Sequence, residues 1–146
     1  MNARIIVLVV ASVTTLICAT STSAATVVKV LLQDPSADLG VSSMRIAVDR
    51  DSVPAGKVTF RAVNQSKDQV HELIVVRAES AQPLTYDDKK QEVVEKRIRH
   101  LGEIADLKPD RSGAMTLNLT PGSYVLICNQ PGHYKAGMTT PFSVTK

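Results

Sequence analysis

The chain has 146 residues, 44% of them apolar and 21% charged, which suits one globular domain and excludes an intrinsically disordered chain. Aromatic residues are only 3%, with no Trp, so a core must rest on Val, Ile and Leu, residues that favour β-structure. A formal net charge of +3 is too small to indicate nucleic-acid binding, and two Cys cannot build a multi-disulfide framework.

The first 25 residues read as a unit of their own. Arg4 precedes an uncharged run over residues 5–19, and small residues follow, ending Ser23-Ala24-Ala25. A charged start, an apolar middle and a small-residue end make a secretory signal peptide. The apolar run is shorter than the roughly 20 residues of a membrane-spanning helix. Residues 1–25 are therefore predicted as a signal peptide, residues 26–146 as the mature domain, and the location as periplasmic or otherwise exported. Cleavage removes Arg4 and Cys18, which leaves sixteen basic and fourteen acidic residues, a net charge of +2, and Cys128 as the single thiol. In an oxidising compartment such a thiol is either buried and inert, paired with another chain, or occupied by a ligand.

Along the mature chain, short runs alternate apolar and polar residues, the pattern of half-buried strands. Thr26–Gln33 is a Val/Leu-rich first strand. Met44, Ile46 and Val48 alternate with Arg45, Ala47 and Asp49, and residues 52–56 (Ser-Val-Pro-Ala-Gly) form a turn. Val58, Phe60 and Ala62 follow as the next strand, and residues 64–68 are a polar turn. Residues 70–76 are apolar on both faces apart from His71 and Glu72, which marks a central strand. Residues 78–107 are long for a loop in a compact domain. Within them, residues 87–99 are rich in helix formers, and Val94, Ile98 and Leu101 follow at helical spacing. A short surface helix is predicted there, capped by Thr85 or Asp87, its charges forming a solvated face. Met115, Leu117 and Leu119 alternate in a further strand, Pro121-Gly122 turns into a strand over residues 123–128, and Phe142 and Val144 belong to the last. Seven or eight strands separated by Gly, Pro and Asn turns predict an all-β, Greek-key β-sandwich with one short surface helix.

The chemistry concentrates in residues 128–138, Cys-Asn-Gln-Pro-Gly-His-Tyr-Lys-Ala-Gly-Met. Cys128, His133 and Met138 are spaced by five residues each, and His71 lies on the central strand upstream. Pro131-Gly132 and Gly137 let one loop turn back twice and bring three side chains to one ion, while His71 closes the site from a neighbouring strand. Thiolate, two imidazoles and a thioether are the donor set of a blue-copper site, trigonal His₂Cys with a weak axial Met. Zinc suits Cys and His but gives no reason for Met138. Taken singly, Cys128 reads as an inert core thiol, His71 as a satisfied core histidine and Met138 as core filler; their coincidence in one exported β-sandwich favours copper. His100 lacks such a context and is expected at the surface, and Met44 and Met115 fit core positions.

At these residues the chain resembles the cupredoxins, the small blue copper proteins of the plastocyanin and azurin superfamily. The resemblance covers nearly all of residues 26–146. It runs from Val53-Pro54-Ala55-Gly56-Lys57-Val58-Thr59-Phe60, through His71-Glu72-Leu73, to Pro121-Gly122-Ser123-Tyr124 and the ligand loop. The four-residue gaps on either side of His133 are similar to those of the rusticyanin and auracyanin members. The resemblance implies one mononuclear type 1 copper, with His71, Cys128 and His133 as equatorial ligands and Met138 as the axial ligand. Many members carry Asn directly after the first His and Ser or Thr directly after the Cys; here Glu72 and Asn129 stand there, expected to hydrogen-bond with Asn129 as donor and Glu72 as acceptor. An ionised carboxylate at that position favours Cu(II) and lowers the potential.

Three function classes follow. Single-electron transfer by Cu(II)/Cu(I) cycling is favoured, through transient redox partners such as a cytochrome or oxidase docking near His133, with the chain a monomer and no nucleic-acid or stable membrane partner. An exported copper carrier, buffer or resistance protein is the alternative, weakened by the lack of His-rich or Met-rich tracts. An enzyme is not expected: multicopper oxidases and copper nitrite reductases need further His ligands, a dinuclear copper centre needs a second Cys in the loop, and a Cys/His nucleophile leaves Met138 unexplained.

Overall fold

A computed structural model describes residues 24–36, 40–78 and 83–146. The predicted signal peptide, up to residue 23, and Cys18 lie outside the described residues. The strands are β1 (Thr26–Gln33), β2 (Arg45–Val48), β3 (Ser52–Pro54), β4 (Gly56–Asn64), β5 (His71–Arg77), β6 (Tyr86–Asp87), β7 (Glu92–Val93), β8 (Arg99–Leu107), β9 (Ser112–Leu119), β10 (Gly122–Ile127) and β11 (Thr139–Thr145). They build a four-stranded sheet in the order β2-β1-β4-β9, a five-stranded sheet in the order β3-β11-β10-β5-β8, and the small hairpin β6-β7. Two pairings are parallel, β1 with β4 and β11 with β3, and the rest are antiparallel. The architecture is the predicted β-sandwich.

Two sequence expectations are corrected. The turn over residues 52–56 contains β3, which is too short to show alternation and exists by pairing with β11. The helix over residues 87–99 shrinks to one 3₁₀ turn, Glu95–Arg97, between the β6-β7 hairpin and β8. Its physical cause lies in the five-stranded sheet. The outer face of that sheet exposes Ile74, Val76 and Ile127, and Val93 packs on them with Leu84, Tyr86 and Ile98 partly buried around it. A regular helix would leave Val93 pointing away from its stripe; a hairpin delivers it at 2% exposure. Arg99–Leu107 then takes the free edge beside β5, a long-range pairing that local propensity does not record.

The main core lies between the two sheets. Val28, Val30, Leu32, Val58, Phe60 and Ala62 from the first sheet meet Leu73, Val75, Tyr124, Leu126 and Phe142 from the second. The alternation of β5 and β10 decides which side chains enter it. Residues 73 and 75 face the main core, residues 74 and 76 the outer cluster, and residues 124 and 126 face the core while 127 faces out. Continuing each alternation by one step puts Cys128 on the inner face of the sandwich. Met44 and Met115 pack against the core, as expected. With so few aromatics, Phe60 is the largest of its fully buried side chains, edge-on to Phe142 with ring centroids 5.3 Å apart. Phe60→Ala is expected to cost about 3–5 kcal/mol of unfolding free energy, read as a lower urea midpoint at unchanged slope; a loss under about 1 kcal/mol would contradict this packing.

Candidate metal centre

His71 opens β5, and Cys128 follows directly on β10, its neighbour in the sheet. The chain then leaves the sheet as the loop that carries His133 and Met138 and returns as β11. Backbone hydrogen bonds staple this loop. Cys128 N–H donates to the Met138 carbonyl (3.1 Å), Met138 N–H to the His133 carbonyl (3.0 Å), and His133 N–H to the Gln130 carbonyl (3.0 Å). Gly132 and Gly137 adopt φ of 83° and 112°, the left-handed side that favours glycine. Gly137 is also packed tightly, since a Cβ there would lie 2.6 Å from the Met44 carbonyl oxygen. The two turns inferred from Pro131-Gly132 and Gly137 are both present.

The side chains converge. His71 Nδ1 lies 3.1 Å from His133 Nδ1, Cys128 Sγ lies 3.5 Å from His133 Nδ1, and Cys128 Sγ lies 3.9 Å from His71 Nδ1. A point equidistant from these three atoms is about 2 Å from each, close to the metal–nitrogen and metal–sulfur bonds of about 2.0–2.3 Å found for a borderline-soft divalent ion. Met138 belongs to the same buried cluster as Cys128. His71, Cys128 and Met138 are 0% exposed and His133 9%, so His133 is the least buried member. His71, Cys128 and His133 therefore meet at one end of the sandwich, and Met138, buried, is joined to that end by its backbone hydrogen bonds with Cys128 and His133. His100 is not among them; it is exposed and faces Glu103 at 3.6 Å.

Burial tunes every titratable member. It pushes the Cys128 thiol up to about 11, with smaller downward contributions from the N–H groups of Glu72 and Gln130. It lowers the pKa of His71, against the pull of Asp34, and of His133, where neighbouring His71 adds to the effect. Both imidazoles are thus held neutral near pH 7, the form that can donate a lone pair to a metal. Glu72 is pushed up to about 7, first by burial and then by the charges of Glu103, Glu95 and Asp106, against the opposing hydrogen bond from Asn129.

Glu72 and Asn129 are joined in the expected direction, Asn129 donating and Glu72 accepting, and the bond comes from the backbone. The donor is the Asn129 backbone N–H, 2.8 Å from Glu72 Oε1, and the Glu72 backbone N–H points at Cys128 Sγ at 3.4 Å. The β5-β10 ladder stops at the pair Ile74 and Ile127, and the register of β5 with β8 shifts beside Glu72, where β8 carries an extra residue at Ala105-Asp106 and Asp106 has a φ of 46°. Both N–H groups are free of the ladder there, and a carboxylate and a sulfur take them. The Asn129 side chain turns the other way. It accepts from Val93 N–H (2.6 Å) and donates to the Val93 carbonyl (3.1 Å) and to Glu95 (3.0 Å). Gly132 N–H also donates to the Gln91 carbonyl at 2.8 Å, and Lys135 Nζ donates to Asp88 at 2.6 Å, so the β6-β7 hairpin is tied to the ligand loop at several points.

Asp34 is a site residue that sequence reasoning missed. Its Oδ1 lies 3.0 Å from His71 Nε2, and its Oδ2 accepts from the Ser66 hydroxyl. An acid just past the end of the first strand carries no local signal of this role, since His71 is 37 residues away.

No family model matches the chain, and no curated protein matches its sequence. Solved structures do match. A reduced auracyanin from Roseiflexus castenholzii superposes with a TM-score of 0.60 at 22% identity, covering 85% of this chain and 99% of that one. Auracyanin A from Chloroflexus aurantiacus, described as a blue copper protein, gives 0.58 at 20% identity over 84% of this chain and 100% of that one. Rusticyanin from Thiobacillus ferrooxidans gives 0.58 at 16% identity over 84% and 79%. This is the cupredoxin fold. Within a cupredoxin frame, a thiol, two imidazole Nδ1 atoms and a buried thioether at the same end of the sandwich fit one mononuclear type 1 copper ion by donor type.

The Asn129 clamp on the hairpin has a measurable consequence. Asn129→Ala leaves the buried Val93 N–H and carbonyl without these partners, and is expected to cost about 1–3 kcal/mol. Hydrogen exchange at the Val93 amide should accelerate more than exchange in the middle of β4; equal rates in both variants would show that the clamp does not hold the hairpin.

Proposed function

We propose that this chain is an exported electron-transfer protein with a single type 1 copper held by His71, Cys128, His133 and Met138. The observation that carries the reading is the buried triangle of His71 Nδ1, His133 Nδ1 and Cys128 Sγ, whose dimensions suit one metal ion. Bound copper supplies one-electron chemistry, which none of the side chains provides alone. The chain's own residues do the rest. Loop staples and strand ends hold the donors in place before the metal arrives, so little has to move between oxidation states. The apolar wall of Leu73, Leu126 and Phe142 belongs to the cluster that contains Cys128 and Met138 and keeps water from the sulfur atoms. The Glu72 N–H at 3.4 Å from Cys128 Sγ stabilises negative charge on that sulfur, a hydrogen bond of the kind that raises a copper potential. His133, the least buried of the four at 9% exposure and near exposed Pro131, is the proposed entry and exit point for the electron, where a transient redox partner docks over a small interface. Export rests on the signal-peptide pattern of residues 1–25.

The test is a Cu(II) titration of residues 26–146, followed by visible and electron paramagnetic resonance spectra through a cycle of reduction and reoxidation. One equivalent is expected to give intense colour and to stay bound in both oxidation states. Loss of copper on reduction would favour a carrier or buffer, and absence of stoichiometric binding would return the four residues to ordinary roles. Cys128→Ser is expected to abolish the thiolate-to-copper absorption while the fold persists. Met138→Leu is expected to retain copper and raise the potential, because a weak donor to Cu(II) is lost; a lowered potential would refute Met138 as axial donor.

Proton release gives an independent check. With the thiol pushed up to about 11 and both imidazoles already neutral, Cys128 is the ligand that must lose a proton. Uptake of one Cu(II) at pH 7 is expected to release one proton from Cys128 and up to about half a proton more from Glu72, so affinity should rise with pH through the neutral range. A release near zero, measured in weakly buffered solution, would mean the thiol is not a ligand.

A further inference from the structure

Resting on the copper reading above, we propose that Asp34 is a positioning residue of the centre, which locks the His71 ring with Nδ1 free for the ion and places a fixed negative charge one imidazole away, favouring Cu(II) over Cu(I). The contact is built rather than incidental. Strand β1 runs parallel to β4 with Leu32 opposite Asn64, and Gln65 N–H donates to the Leu32 carbonyl at 2.9 Å, so the chain beyond β1 runs alongside the turn after β4. The Gln33 side chain, 5% exposed, fastens the same place, donating to Gln65 at 2.8 Å and accepting from Arg45 at 2.7 Å.

That turn is itself rigid. Fully buried Asn64 donates to the carbonyls of Gln69 and Leu107, both at 2.8 Å, and accepts from Ser66 N–H at 2.8 Å. The Ser66 hydroxyl accepts from Gln69 N–H (2.8 Å) and Asp68 N–H (3.2 Å) and donates to Asp34 Oδ2. With one oxygen taken by Ser66, the other faces His71 Nε2 at 3.0 Å. Both carboxylate oxygens then act as acceptors, which requires the imidazole proton to sit on Nε2 and leaves the lone pair on Nδ1. Nδ1 is the atom that faces Cys128 and His133. A carboxylate on the far nitrogen of a ligand histidine orients the ring and raises its basicity, and both effects stabilise the more highly charged metal state.

Asp34→Asn separates the two parts of the proposal, because the amide keeps an acceptor for His71 and loses the charge. In the metal-free full-length mature protein, ¹⁵N chemical shifts of His71 are expected to show the proton on Nε2 in the wild type and in Asp34→Asn, and a mixture of tautomers in Asp34→Ala. A wild-type proton on Nδ1 would overturn the positioning role, whether or not copper binds. In the copper-loaded proteins, Asp34→Asn is expected to shift the Cu(II)/Cu(I) affinity ratio about tenfold towards Cu(I), a rise of about 59 mV in the midpoint potential, with one equivalent of copper retained. A shift under about twofold, with the urea midpoint unchanged, would overturn the charge role. A wild type that binds no copper would overturn the reading beneath the proposal, and the tautomer measurement would still decide the contact between Asp34 and His71.

Discussion

Strand β5 carries the constraint on which the structure depends. Leu73, Ile74, Val75 and Val76 are all 0% exposed, so both faces of this strand must be covered. The four-stranded sheet covers one face through Phe60 and Leu32. The segment from Leu84 to Ile98 covers the other through Val93 and its neighbours. Strands β10 and β8 occupy its two edges. A strand enclosed on four sides has little freedom to shift in register, because a slip of one residue would exchange its two apolar faces. His71 stands at its end and inherits that rigidity.

The metal centre is an edge phenomenon of this enclosed strand. Where the β5-β10 ladder ends, backbone N–H groups of Glu72 and Asn129 no longer have strand partners and turn to Cys128 Sγ and Glu72 Oε1. The same ending releases the loop that holds His133 and Met138. Burying a thiol and two imidazoles beside two half-buried carboxylates is unfavourable to the fold without a ligand, as the high pKa values of Cys128 and Glu72 show. A cation reverses that sign: it stabilises the thiolate and gives the neutral imidazoles a partner. Asp34 and Glu72 both place carboxylates within one residue or one ring of the donors, and their combined charge leans towards the oxidised ion, while the hydrogen bond to Cys128 Sγ leans the other way.

Local patterns carried much of this in the sequence. A run rich in Val and Leu marked Thr26–Gln33 to the residue, since β-branched and apolar residues suit a strand with Val28, Val30 and Leu32 buried. The two-sided apolar run marked β5 as central. The loop donors Cys128, His133 and Met138 were legible because they lie within eleven residues and two glycines shape the turns between them. His71 was legible as a polar residue at the head of an apolar strand.

Tertiary structure alone decided the rest. Nothing near Asp34 in sequence announces a histidine partner; the parallel β1-β4 register and the Asn64–Gln69 turn bring it there. The Asn129 side chain binds Val93, 36 residues away, rather than the adjacent strand. Residues 87–99 carry helix-forming side chains at helical spacing, yet they form a hairpin, a single turn and the start of an edge strand. Their conformation answers to an apolar sheet face and an unpaired strand edge contributed by distant residues. Periodicity records which residues need burial; it does not record which surface will bury them, and that depends on contacts between segments far apart in the chain.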